Sequence, residues 1–194
     1  MTVAINQLGF DFDGVIADTA EAFVRLACLE YGYCGFHPGD ITSFSPADCL
    51  NIPEAVVEQI FTDILTDSIA AGLQPMPGAV SALTRMSATA PVTIITARSL
   101  SQPVCDWLDQ LIAPGNRGKI QVIATGDHDD KLRYIHAHRL KFFIDDRLET
   151  CRLLALEKII PYLFSQPWNR HHQHNLRTVN GWDDIMALVD SSEV

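Results

Sequence analysis

The chain has 194 residues, 47% of them hydrophobic and 20% charged, with a formal net charge of −10 at pH 7. That length suits one globular core plus an insertion, and the surplus of acids argues against long nucleic acids and anionic membranes as partners, because phosphate polymers would meet net repulsion. No apolar run approaches the roughly 18 residues of a membrane span, and the MTVAINQ start has neither a basic leader nor a cleavable apolar segment, so the expectation is a soluble, cytoplasmic protein.

Residues 8–13 read LGFDFD, an apolar strand that ends on two acids. Alternate side chains of an extended strand share a face, so Asp11 and Asp13 are expected on one side and Phe10 and Phe12 on the other. Asp13-Gly14 between hydrophobic runs is also a tight-turn signal, which makes a hairpin the competing reading. Residues 20–75 follow without a convincing strand. Inside them Asn51 and Glu54 have capping-box spacing, and Val57, Ile60, Phe61, Ile64 and Leu65 then recur with helical spacing. PMPG at 75–78 punctuates the return to the main domain. Beyond it, PVTIIT (91–96), KIQVIAT (119–125), KFFID (141–145) and YLFS (162–165) are predicted buried strands. Leu148, Cys151, Leu154 and Ala155 share a helical face, as do Trp182, Ile185 and Val189. Strands alternating with helices predict right-handed crossovers and an α/β fold. Its core would be a Rossmann-like, doubly wound parallel sheet built from residues 1–18 and 76–194. Residues 19–75 would form a small helical cap, placed where it can cover the carboxyl end of the first strand.

The five cysteines (Cys28, Cys34, Cys49, Cys105, Cys151) include no CxxC pair, and an odd count suits reduced, buried thiols better than a disulfide frame or structural zinc. His171, His172 and His174 lie in a polar stretch with no partner at zinc-finger spacing and read as a solvated loop.

In a doubly wound sheet, ligands bind beyond the carboxyl ends of the strands. The residues falling there are Asp11 and Asp13, then Thr96, then Lys131, then Asp145 and Asp146. Each has an ordinary structural role open to it: a helix cap for Thr96 and for the Asp145–Asp146 pair, a solvated charge for Lys131. Together they describe a site. Two like unit charges ~4 Å apart repel by about 4 kcal/mol even at an effective dielectric of ~20, so converging carboxylates call for a positive partner. Hard oxygen ligands in this number suit Mg²⁺, which uses one or two carboxylates and leaves room for a substrate phosphate.

DFDGVIADT, IITAR, a later lysine and FFIDDR follow the order of the four motifs of haloacid dehalogenase-like hydrolases, and the chain resembles that superfamily. The resemblance implies that Asp11 attacks phosphorus and forms an aspartyl-phosphate, while Asp13 protonates the leaving alcohol and then activates water. It implies that Thr96, with backbone N–H groups near it at Ala97, holds the phosphoryl oxygens, and that Lys131 neutralises charge on nucleophile and phosphate. Asp146, helped by Asp145, would bind Mg²⁺ together with Asp11 and the carbonyl of Asp13. Gly14 would let the chain turn sharply beneath the phosphate.

PMPGAVSALTRM (75–86), FFIDDR (142–147), LFSQPWNR (163–170) and GWDDI (181–185) resemble, more narrowly, the 5′(3′)-deoxyribonucleotidase family and its bacterial nucleotidase relatives. In that family the cap offers an aromatic ring to the base, and Phe44 in ITSFSPAD is the positional match; a cap-core phenylalanine is the plain alternative. Human-type members read TSP where this chain has Thr96-Ala97-Arg98, so a strict deoxyribonucleotide preference does not carry over. The expected substrate is a small phosphomonoester, a nucleoside monophosphate first. The rivals are a phosphatase for sugar phosphates or other small metabolites and a phosphate-ligand sensor without turnover. The intact Asp11 and Asp13 pair argues against the sensor, because a binder needs no proton donor.

Overall fold

The computed structural model describes residues 3–172 and 175–190, without the side chains of His172 and Asp190. Among the described residues a single all-parallel sheet has six strands: β1 (Leu8–Phe10), β2 (Val92–Thr96), β3 (Ile120–Ala124), β4 (Phe142–Asp145), β5 (Ile160–Phe164) and β6 (Arg177–Val179). Their order across the sheet is β3-β2-β1-β4-β5-β6, so the chain reverses its direction of travel at β1, the strand that carries the first acids. A reversal of this kind opens a crevice at the carboxyl edge, where ligands of such sheets sit. Helices α1 (Thr19–Tyr31), α2 (Glu54–Thr66), α3 (Ala79–Thr89), α4 (Gln102–Leu111), the short α5 (Pro114–Arg117), α6 (Lys131–Ala137), α7 (Leu148–Leu156) and α8 (Trp182–Asp190) complete the fold.

The strands are apolar on both faces because both are covered. Phe10, Ile94, Phe142, Ile144 and Tyr162 join Leu83 and Met86 of α3 and Ile185 and Val189 of α8 in one cluster. Their neighbours Ile95 and Phe143 turn to the other face and meet Ile135 of α6 and Leu154 of α7. Trp182 anchors the first layer, stacking on Phe10 at a centroid distance of 5.4 Å and donating its indole N–H to the Val15 carbonyl at 2.9 Å.

β1 runs parallel to both neighbours, which disposes of the hairpin. It also ends earlier than expected. Asp11 N–H still donates to the Ile144 carbonyl, after which the Phe12 carbonyl accepts from Ile16 and Ala17 and the chain curls into α1. Gly14 sits in the left-handed region at φ 71°, and a Cβ there would collide with the Asp146 carboxylate, so only glycine fits beneath it. β6 escaped the sequence reading because it is a short edge strand with one buried residue, Val179, and therefore has no apolar run.

Among the described residues, the interval from 19 to 75 contains helices and turns but no named strand. The chain leaves the sheet and returns to it side by side: Asp18 N–H donates to Gln74 and Met76 N–H to Ile16, both at 2.8 Å. Helix α1 is capped by Asp18, whose carboxylate accepts from Glu21 N–H, and ends at Gly32 in the left-handed region. That reversal corrects the reading of the cysteines. It brings Cys28 and Cys34 to a Cα separation of 4.3 Å, and they are joined as a disulfide. Cys151 is buried as expected, whereas Cys49 and Cys105 are half-exposed thiols. The capping box at Asn51 and Glu54 does not form. Proline disfavours helical backbone in the residue before it, so α2 starts after Pro53, whose carbonyl accepts from Val56 and Val57. His171 is exposed in a short turn, Arg170–His172, and His174 lies outside the described residues.

Candidate active site

Five strand ends and their loops deliver the polar groups. Asp11 follows β1 and Asp145 ends β4, so two adjacent parallel strands set these carboxylates side by side. Lys131 opens α6, beyond β3, and reaches underneath: Nζ lies 2.8 Å from Asp11 Oδ2 and 2.8 Å from Asp145 Oδ2, with 1% of the side chain exposed. Carboxylate oxygens of Asp11, Asp145 and Asp146 all lie within 4.8 Å of one another. Three buried acids against one lysine leave two net negative charges if all are ionised, an arrangement that water cannot relieve and a divalent cation can. Burial pushes Asp11 up to about 7, with Lys131 opposing and the charges of Asp145 and Asp13 adding to it. Burial, then the charges of Asp11 and Asp145, raise Asp146 well above the usual carboxylate range, with Lys131 opposing. Burial would lower the Lys131 ammonium, but Asp11 and Asp145 more than offset it, and the group stays charged. Hard oxygen donors, excess negative charge and mutual proximity fit Mg²⁺.

Asp13 turns elsewhere. Its Oδ2 accepts from Arg98 Nε at 2.8 Å, and its Oδ1 accepts from Arg98 Nη2 at 2.7 Å and from the Thr19 hydroxyl at 2.8 Å. Burial alone would raise this carboxyl, but the Arg98 charge and these hydrogen bonds hold it below its usual value. The Asp13 carboxylate therefore stands outside the group formed by Asp11, Asp145 and Asp146.

Above the acids lies a cavity of about 760 Å³. Asp11, Asp13, Gly14, Ala97, Arg98 and Asp146 contribute to one part of its wall; Phe23 of α1 and Val57, Phe61 and Leu65 of α2 supply apolar surface. Phe23 and Phe61 are 5.3 Å apart between centroids, so the two helices pack through the rings that also face the cavity. Helix α2 thus divides its apolar stripe: Val57, Ile60 and Ile64 are buried, while Phe61 and Leu65 remain partly open. Phe44 lines the cavity with 45% of its surface exposed. The Arg147 guanidinium carbon stands 5.5 Å from its ring centroid, and the His128 ring meets it edge-on at 5.5 Å. Burial, then the charges of Lys131 and Arg147, lower the pKa of His128 and favour the neutral ring.

A family model for 5′ nucleotidase, deoxy (pyrimidine), cytosolic type C proteins matches residues 4–193. The chain belongs to this family. No curated protein matches it in sequence. Among solved structures, a haloacid dehalogenase-like family hydrolase from Streptococcus pneumoniae is similar with a TM-score of 0.60 at 15% identity, over 96% of this chain and 98% of that one. A protein from Bacteroides fragilis described as a haloacid dehalogenase-like hydrolase gives 0.63 at 14% identity, over 92% and 98%. One from Lactobacillus plantarum described as a phosphoglycolate phosphatase gives 0.60 at 15%, over 97% and 100%. At these identities the likeness concerns the fold. The chain thus belongs to the nucleotidase family and shares its fold with haloacid dehalogenase-like hydrolases, and no helix among its described residues is long and apolar enough to cross a membrane.

Within this nucleotidase-family fold, Asp11, Lys131, Asp145 and Asp146 converge, and Asp13, Phe44 and Ala97 line the same cavity. Thr96 is fully buried behind the wall, its hydroxyl accepting from Arg98 N–H at 3.3 Å. The sequence reading assigned no role to Arg98 or to the loop after β5. That loop braces the site, and its Trp168 also lines the cavity: Gln166 Nε2 donates to the Gly14 carbonyl at 2.6 Å, Trp168 Nε1 to Asp146 Oδ2 at 3.1 Å, and Asn169 Nδ2 to the carbonyls of Asp146 and Phe164 at 2.8 Å. The stretch LFSQPWNR marked the loop by resemblance, but polar side chains after a strand carry no local sign of what they hold.

Proposed function

We propose that this protein hydrolyses phosphomonoesters through covalent catalysis at Asp11, with (deoxy)nucleoside monophosphates as the substrate class. The observation that carries the reading is a buried Asp11 carboxylate at the cavity wall, charge-paired to Lys131 and next to two further buried acids. A structural aspartate would not be set among like charges, whereas a nucleophile beside a metal is.

Arg98 keeps Asp13 ionised in the free site, so Asp13 first takes the proton of the phosphate monoanion; an Asp11 oxygen then attacks phosphorus, the ester P–O bond breaks, and the leaving alkoxide takes that proton from Asp13. Water then attacks the aspartyl-phosphate, gives a proton back to Asp13, and the P–O bond to Asp11 breaks to release inorganic phosphate. Lys131 balances the charge on Asp11, while Thr96, by accepting from Arg98 N–H, fixes the turn that carries Ala97, whose N–H can meet phosphoryl oxygens. Asp11, Asp145 and Asp146 would hold Mg²⁺, together with the carbonyl of Asp13; the ion supplies positive charge for the phosphoryl oxygens. Residues 19–75 act as a cap over this site, and Phe44, Phe61 and Leu65 contact the leaving group. Membership of the nucleotidase family and an apolar, aromatic cavity support a nucleoside over a sugar.

The test is phosphate release from a panel of nucleoside monophosphates, sugar phosphates, phosphoglycolate and p-nitrophenyl phosphate, with Mg²⁺ and with EDTA, on wild type and Asp11→Asn. Nucleotides should lead the panel in Mg²⁺, and Asp11→Asn should fall to background while remaining folded. Full turnover by Asp11→Asn would remove the covalent mechanism.

A further inference from the structure

We propose that Arg98 is a positioning residue that ties the leaving-group face of the cavity to Asp13, so that seating the leaving group and placing the proton-transfer carboxylate are one event. The inference rests on the acid and base role of Asp13 in the proposed function.

Arg98 follows β2 in the sheet domain and is 4% exposed. Its guanidinium takes both oxygens of Asp13 through Nε and Nη2, at 2.8 and 2.7 Å, the planar two-point grip that lysine cannot reproduce. The remaining nitrogen, Nη1, donates to the Ser68 hydroxyl at 2.6 Å. Ser68 is itself buried, and its hydroxyl donates onward to the Ile64 carbonyl at 3.0 Å, in the last turn of α2. On the neighbouring turns of that helix, Phe61, Thr62 and Leu65 face the cavity. Stacking of the guanidinium over the Phe12 ring, at 4.9 Å, fixes its plane.

Asp13, Arg98, Ser68 and α2 are thus joined by short, directional contacts between largely buried groups. Asp13 and Arg98 belong to the sheet domain, Ser68 and α2 to the helical interval. A displacement of α2 moves Ser68, and the rigid fork transmits that movement to both Asp13 oxygens. Misplacing a reacting group by 1 Å can cost about 10²-fold in rate. A purely charge-neutralising Arg98 would need neither the hydrogen bond to Ser68 nor a fixed plane.

The experiment compares kcat/KM for the best alkyl phosphomonoester of the panel, whose leaving group needs a proton, with that for p-nitrophenyl phosphate, whose leaving group does not. Wild type, Asp13→Asn, Arg98→Lys and Ser68→Ala are measured, with thermal melts to verify folding. Asp13→Asn should lose more on the alkyl ester than on the aryl ester, and this arm tests the acid role itself. Arg98→Lys keeps the charge but not the fork, and its loss on the alkyl ester should exceed that on the aryl ester by about tenfold or more, a fraction of the ~10² to 10⁴ that acid–base catalysis supplies. Ser68→Ala, which leaves the ion pair in place, should show the same bias at about threefold. Equal losses on both esters for Arg98→Lys and Ser68→Ala, with Asp13→Asn still biased, would overturn the positioning role. A bias in Arg98→Lys alone would overturn the link to α2. An unbiased Asp13→Asn would instead overturn the acid role on which the proposal stands.

Discussion

Lys131 Nζ and Asp11 Oδ2 meet at 2.8 Å with both side chains almost wholly cut off from solvent. Removing one partner of such a pair leaves an uncompensated buried charge, which typically destabilises by about 3 to 5 kcal/mol. Lys131→Met should therefore lower the urea midpoint markedly in EDTA and abolish turnover. Mg²⁺ should recover part of the stability, because it supplies the missing positive charge, but not the activity. A variant as stable as wild type without metal would mean that the pair does not govern the site's electrostatics.

Acid and metal should trade places with pH. Burial pushes Asp11 up to about 7, and Asp146 is raised by burial and by Asp11 and Asp145. A carboxyl that holds its proton more tightly when folded lends stability that is full below its unfolded value, near 3.9, and fades as pH rises through about 7. In EDTA the melting temperature should thus fall as pH is raised from about 5 to 8, and the increase in melting temperature on adding Mg²⁺ should be larger at pH 8 than at pH 6. Melts in both buffers decide it; a Mg²⁺ shift independent of pH would place the ion elsewhere.

How much of this was readable in the chain depends on the range of the interaction. The places of Asp11, Thr96, Asp145 and Asp146 were legible because parallel strands end in register, so a residue's place at a strand end already states its place in space; Lys131, which opens α6 beyond β3, was marked by the order of the motifs. Asp13 was only half legible. Strand alternation put it beside Asp11, but the strand stops at Phe10, and 85 positions along the chain Arg98 supplies the partner that captures it. The Cys28–Cys34 bridge depends on a left-handed Gly32 closing a short loop, a backbone event invisible in cysteine spacing. Pro53 overrode the capping spacing at Asn51, because a proline steers the residue before it away from helical backbone. β6 and the Gln166, Trp168 and Asn169 brace have no periodicity to announce them.

Trp168 offers a sharper test of the metal site than the acids do. Its indole N–H donates to Asp146 Oδ2 at 3.1 Å, and its ring would also be met by a Cβ on Gly14. Trp168→Phe keeps an aromatic body but loses the donor. Partners of this kind are commonly worth about 10- to 100-fold in metal affinity or activity. The Mg²⁺ concentration giving half-maximal rate should rise by that order, with kcat at saturating Mg²⁺ nearly retained. Loss of kcat with an unchanged Mg²⁺ dependence would assign Trp168 to shaping the cavity rather than to Asp146.

Phe44 separates a substrate contact from a packing contact. Its ring is half open to the cavity, yet Arg147 and His128 also lie against it. If the ring stacks on a base, Phe44→Ala should reduce kcat/KM for nucleoside monophosphates by ~1 to 3 kcal/mol, about 5- to 150-fold, a range taken from stacking on single-stranded nucleic acids. p-Nitrophenyl phosphate hydrolysis should change little, since the ring contacts of Phe44 are with Arg147 and His128 and not with the acids that face phosphate. If Phe44 instead serves to hold its loop against His128 and Arg147, the loop loosens for every substrate and both activities fall together. Matched ribo- and deoxyribonucleotides and several sugar phosphates belong in the same assay. A sugar phosphate preferred over every nucleotide by tenfold, about 1.4 kcal/mol of transition-state stabilisation, would transfer the cavity from nucleosides to sugars and leave the phosphatase chemistry as it stands.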